Sequence, residues 1–127
     1  MTDAPFHNPA AVTVELPMPP TTNNLFASTK GMRYRTSEYN AWIKEAGLRL
    51  NIQRPPQTRG KVSLLIEVAE PQTSRQTDLA NREKTTVDLL VKHLVIEGDD
   101  QRFVRELVMR WAPDVRGVRV TIRSASA

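Results

Sequence analysis

The chain has 127 residues, enough for one domain with a modest core. It contains no cysteine, which excludes a disulfide framework and a thiolate metal site, and no apolar stretch long enough to span a bilayer. Lys and Arg number 18 against 14 acids, a net charge of +4 that is compatible with nucleic-acid binding without arguing strongly for it.

Residues 1–10 are small, polar and proline-bearing and read as a flexible N-terminus ahead of one domain spanning 11–127. They lack a basic segment followed by an apolar run, so no signal peptide is expected and a soluble cytoplasmic protein is. "AVTVELPM" alternates, with Val12, Val14 and Leu16 on one face, and predicts a strand ended by Pro17, Pro19 and Pro20. "TTNNLFASTKGMRYRT" reads as a long loop with a short hairpin strand around 32–36; Lys30, Arg33 and Arg35 cluster there around Tyr34.

Ser37 is the expected cap of a first helix, whose stripe is Tyr39, Trp42, Ile43, Ala46 and Leu50 and which runs to about Asn51. "KVSLLIEVAE" is the clearest strand, bounded by Gly60 and Pro71. A second helix, over about Leu79 to Val91, carries Val87, Leu90, Val91 and Leu94 at helical spacing and is closed by Gly98. "FVRELVMRW" and "GVRVTIRS" predict two further strands, with Arg119 and Arg123 opposite Val118, Val120 and Ile122. The order points to a mixed α+β domain with a mixed sheet and two main helices.

The chemistry concentrates in "QTDLANREK", residues 76–84. Asp78 opens the second helix, and its plain role is an N-cap on the helix dipole. Asn81 and Lys84 lie three apart on one face just beyond it. A carboxylate, an amide and an ammonium converging there suit metal-dependent phosphodiester cleavage: carboxylates hold Mg²⁺, and a lysine offsets developing charge. One carboxylate is a poor Mg²⁺ site. "EGDDQR" offers Glu97, Asp99 and Asp100, which otherwise read as a solvated turn. Asp88 reads as the partner of Lys84 one turn away. His7 and His93 have no ligand partner at metal spacing, and neither a Ser-His-Asp set nor a glycine-rich phosphate loop is present.

In this order and at these separations, "LPMPPTTNN", "TDLANREKTTVDLLVKHLV" and "GDDQRFVREL" resemble the RusA-type Holliday junction resolvases, endonucleases of bacteria and their prophages. The resemblance covers about Val12 to Arg123. It implies an intertwined homodimer that binds four-way DNA junctions and makes paired nicks with Mg²⁺, in recombination and repair. Asp78 matches the family's first aspartate, Lys84 its catalytic lysine, Asp100 its later aspartate with Asp99 beside it, and Asn81 its asparagine. At Ala80 the family carries a second aspartate. A methyl group cannot bind a metal, so one of three expected ligands is missing, by divergence or by deliberate substitution. The alternative reading is a non-catalytic DNA-structure-binding protein that keeps the nuclease fold. In either case Lys30, Arg33, Arg35, Arg75 and Arg82 are the expected phosphate-contacting cations.

A helix over Leu79 to Val91 is about 20 Å long at about 1.5 Å per residue. Asp78 and Asp100 then share a site either because residues 92–100 fold back, or because two antiparallel copies of the helix meet across a dimer axis. Helix length favours the second arrangement slightly.

Overall fold

A computed structural model describes residues 11–71 and 77–125. Strand β1 (Val12–Leu16) is followed by a hairpin of β2 (Phe26–Thr29) and β3 (Met32–Arg35), then helix α1 (Ser37–Gln53) and strand β4 (Val62–Ala69). A 3₁₀ turn (Leu79–Arg82) leads into α2 (Glu83–Lys92), and β5 (Val104–Ala112) and β6 (Val118–Ser124) complete the order. The domain is α+β, with two helices and one mixed sheet, as expected. The hairpin is fuller than anticipated, because it has a strand on each side of its turn. Lys30 and Gly31 both take positive φ (53° and 77°), which matches the right-handed twist of the flanking strands.

The sheet order is β1-β6-β4-β5. β4 and β5 run parallel, joined by the α2 crossover, while β6 is antiparallel to both β1 and β4. Alternation along each strand separates two faces. On one face the register lines up Val12, Ile122, Leu64 and Leu107; Val14, Val120, Ile66 and Met109; and Leu16, Val118, Val68 and Trp111. These rows form the core with Tyr39, Trp42, Ala46 and Leu50 of α1 and Val87 and Leu90 of α2. Both helices therefore cover the same face.

The opposite face carries a row of alternating charge: Glu15, Arg119, Glu67 and Arg110. Glu67 is its centre. Arg110 donates to its Oε2 from Nε (3.0 Å) and Nη2 (2.8 Å), and Arg119 donates to its Oε1 from Nε (2.9 Å). The carboxylate is covered by these guanidinium groups rather than by apolar atoms. Hydrogen bonds from Arg119 and then Arg110 lower its pKa to about 2.

Thr36, not Ser37, caps α1: its Oγ1 accepts from the Tyr39 amide at 3.1 Å. Two adjacent hydroxyl residues offer the same chemistry, and Thr36 is also held by donation to the Asn24 carbonyl at 2.7 Å. At the other end of α1, Gln53 pairs with the edge strand. Its Oε1 accepts from the Glu15 amide and its Nε2 donates to the Glu15 carbonyl, both at 2.7 Å. This occupies open hydrogen-bonding groups of β1.

Gly98 does not close α2. The left-handed terminating residue is Leu94 (φ 59°), and the Val95 amide returns to the Leu90 carbonyl at 2.9 Å. Gly98 is needed for closeness instead: a Cβ there would lie 2.6 Å from the Phe103 ring.

Candidate functional site

The proline segment after β1 and the start of α2 are far apart in sequence and joined in space. The Arg82 Nη1 donates to the Pro19 carbonyl, and the Thr22 hydroxyl donates to the Asn81 carbonyl at 3.2 Å. Trp42 Nε1 holds the same segment through the Pro17 carbonyl at 2.9 Å. The Arg82 carbonyl accepts from the Thr86 hydroxyl at 2.7 Å and from Thr85 at 3.5 Å, and both threonines are buried. The two stretches "LPMPPTTNN" and "TDLANREK" thus form one assembly. Beside it opens a cavity of about 520 Å³, walled in part by Met18, Thr77, Arg82, Trp111 and Arg116.

Asp78 has the extended backbone of a cap (φ −89°, ψ 138°), and its main-chain oxygen accepts from the Asn81 amide at 3.2 Å. Its side chain makes no cap hydrogen bond. The plain N-cap role is therefore not taken up, and the exposed carboxylate is left for other use. Ala80 is exposed two residues on, in the 3₁₀ turn. Lys84 and Asp88 form the expected pair across one turn, Nζ to Oδ2 3.4 Å, with side chains 65 % and 38 % exposed.

Arg82, expected among the phosphate-contacting cations, turns inward to Pro19. Burial lowers its pKa, and its Nε is buried with no hydrogen-bond partner. Lys30, Arg33 and Arg35 are exposed on the hairpin. Arg33 lies over the Phe26 ring, 4.1 Å from its centroid. Arg75 lies outside the described residues.

In the later acidic run, Glu97 is structural: its Oε2 accepts from the Gly60 amide at 2.6 Å. Asp100 is engaged by Arg102, whose backbone amide and Nε donate to Oδ1 (2.9 and 3.0 Å) and whose Nη2 donates to Oδ2 (2.8 Å). Those bonds lower its pKa. Asp99 is exposed and lies within electrostatic reach of Glu83 of the same chain. The chain reverses after α2 at Leu94, which takes positive φ (59°).

Glu83 is an ionisable group of this region to which the sequence alone does not point. It is half-buried in the first turn of α2, and its pKa is raised, first by burial and then by Asp88 and Asp99, with Lys84 opposing. Burial, the largest cause, is set by the fold and is not legible from its neighbours in sequence.

The oxygen donors are of the type that suits Mg²⁺. The set is nevertheless incomplete. Ala80 offers nothing, Asp100 is held by Arg102, and among the described residues no group of three or more ligating side chains is placed to hold a metal. The chain as it stands does not fit Mg²⁺ held by three carboxylates. No described helix is long and apolar enough to cross a membrane.

The sequence profile of the family described as Endodeoxyribonuclease RusA matches residues 17–123. A search of curated proteins gave no match. The matched span runs from the proline segment through α2 to the last strand and contains both halves of the assembly just described, so the chain belongs to the RusA endodeoxyribonuclease family.

Proposed function

We propose that this chain is a homodimeric Holliday junction resolvase of the Mg²⁺-dependent type, able to bind four-way junctions and impaired in cutting them by Ala80. The carrying observation is that the family match spans the assembly of the proline segment with the start of α2; the resemblance implies a carboxylate at the position where Ala80 places a methyl group. In this reading Asp78 and Asp100 are metal ligands, Asp99 and Asn81 support them, and the position of Ala80 is the missing third ligand. Lys84 faces the scissile phosphate, and Lys30, Arg33 and Arg35 follow phosphates along the arms, with Arg75 expected to join them. Arg82 acts as a brace from within. Only with a carboxylate restored at position 80 would an ion held there supply charge neutralisation and an activated water. For Asp100 to serve, Arg102 must release it, and a phosphate is a suitable new partner for that guanidinium.

Paired nicks in opposed strands need two sites, hence the dimer. A monomer in sedimentation at micromolar concentration would count heavily against this reading.

The deciding experiment assays the chain and Ala80→Asp on a synthetic four-way junction with Mg²⁺. Cutting by the aspartate form alone is the expected result. Junction binding with no cutting by either form favours the second reading, a non-catalytic junction-binding protein. Absence of junction binding removes both.

A further inference from the structure

We infer that the β2–β3 hairpin is a wedge whose Met32 and Tyr34 face stacks on unpaired bases at the branch point of a four-way junction. This rests on the junction reading above and adds the source of preference for junctions over duplex.

The hairpin has two unlike faces. Its register puts Phe26, Ser28, Arg33 and Arg35 on one side and Ala27, Thr29, Met32 and Tyr34 on the other. The first side is anchored: Phe26 meets Tyr39 of α1 edge-on, centroids 5.8 Å apart at 84°, and carries Arg33 on its ring. The hairpin's root is fixed as well. Thr36 bonds the Asn24 carbonyl, and Thr22 bonds the Asn81 carbonyl at the start of the α2 assembly. A two-stranded ribbon is marginal alone, and these braces hold this one as a projecting arm.

The second side is open. Met32 is 72 % exposed and Tyr34 49 % exposed, two residues apart on the same face. Scattered exposed apolar residues need no explanation. These two sit on a ribbon whose residues 26–36 include Lys30, Arg33 and Arg35 and no acid. That charge suits a polyanion. A phenol ring and a thioether suit the flat faces of bases. An intact duplex keeps those faces stacked, whereas a branch point can open them. Phosphate contacts within a single arm do not distinguish a junction from a duplex, whereas stacking at the branch point does.

The test uses a metal-free four-way junction carrying 2-aminopurine either at the branch point or in mid-arm, with a matching duplex. The parent chain should brighten the branch-point probe and leave the mid-arm probe unchanged. Met32→Ala combined with Tyr34→Ala should remove that brightening and reduce the junction-to-duplex affinity ratio roughly tenfold, with duplex affinity unchanged. Tyr34→Phe keeps the ring and should behave as the parent, which separates stacking from loss of the Tyr34–Thr29 hydroxyl contact. Arg33→Ala should weaken junction and duplex together. A double alanine variant that retains either the brightening or the parental ratio overturns the wedge and leaves junction binding standing. A parent chain that binds no junction overturns the junction reading, and the wedge with it.

Discussion

Arg82 and Pro19 are joined by a hydrogen bond across a separation of 63 residues, the guanidinium donating to the carbonyl. The bond ties the start of α2 to the segment that follows β1. Arg82→Ala leaves the Pro19 oxygen without its donor and empties a half-buried position. A loss of about 1–3 kcal/mol is expected in urea unfolding. Arg33→Ala, on the exposed hairpin, should fall within about 0.5 kcal/mol of the parent. Equal stability of the two variants would mean that Arg82 is an ordinary surface cation.

Glu67 should matter at neutral pH and not in strong acid. Its folded pKa, about 2, lies below the ordinary glutamate value, so the folded state favours the carboxylate. That contribution is fully present above about pH 4.5 and is lost as pH falls toward 2. Glu67→Gln should cost about 1–3 kcal/mol at pH 7, where Arg110 and Arg119 lose a charged acceptor. Denaturant midpoints for the two proteins should converge near pH 2. A constant gap across pH would place the cost in packing, not charge.

Glu83 has the opposite sign. Its folded pKa is raised by burial and by two acids, so ionisation works against folding as pH rises above the usual glutamate range. Glu83→Gln should raise the melting temperature at pH 7, and the gain should vanish at pH 4. A loss of stability at pH 7 would show that the carboxylate makes a favourable contact that outweighs this repulsion.

Lys84 separates a surface pair from a site residue. Its contact with Asp88 is solvent-exposed and worth about 0.3–0.5 kcal/mol. In the Ala80→Asp background, Lys84→Ala should therefore barely move the melting temperature. If its ammonium faces the scissile phosphate, cleavage should fall roughly 100-fold or more while junction binding persists. Near-normal cleavage would remove Lys84 from the site.

Without metal, the chain should bind junctions at least as tightly as its Ala80→Asp form, because the methyl group removes a negative charge near phosphates. Titrations at several salt concentrations should give steep log–log slopes for both, and Arg33→Ala should reduce the slope by about 1. A flat salt response would argue against phosphate contacts as the main source of affinity.

Most of the architecture could be read from alternation and punctuation. Val118, Val120 and Ile122 face the core and Arg119 the other side, because a half-buried strand must alternate. The sequence was least legible at the helix ends: Thr36 offers the same hydroxyl as Ser37, while Leu94 takes the left-handed conformation that favours glycine. Thr36 displaced Ser37 as cap, and Leu94 displaced Gly98 at the end of α2. Pairings across the sheet were not legible. Glu67 looks like a routine outward glutamate in "LLIEVAE" until the register sets two arginines beside it. Nor does the sequence show that Arg82 points inward, since its acceptor belongs to a proline 63 residues earlier. The candidate residues of "TDLANREK" were found by their spacing and by family resemblance. Their partners were settled by the fold.

The placement of β6 also bears on how the protein is made. This last strand sits between β1 and β4, so β1 has no neighbour in the sheet until residues 118–124 are available. During synthesis, the chain can form α1 and the hairpin early, but the proline segment that follows β1 has no finished sheet to rest on. The platform under Asp78 and Lys84 is completed only when the final strand slides into the middle. Until β6 has left the ribosome the sheet therefore lacks its middle strand, and the order of the strands delays closure of the domain.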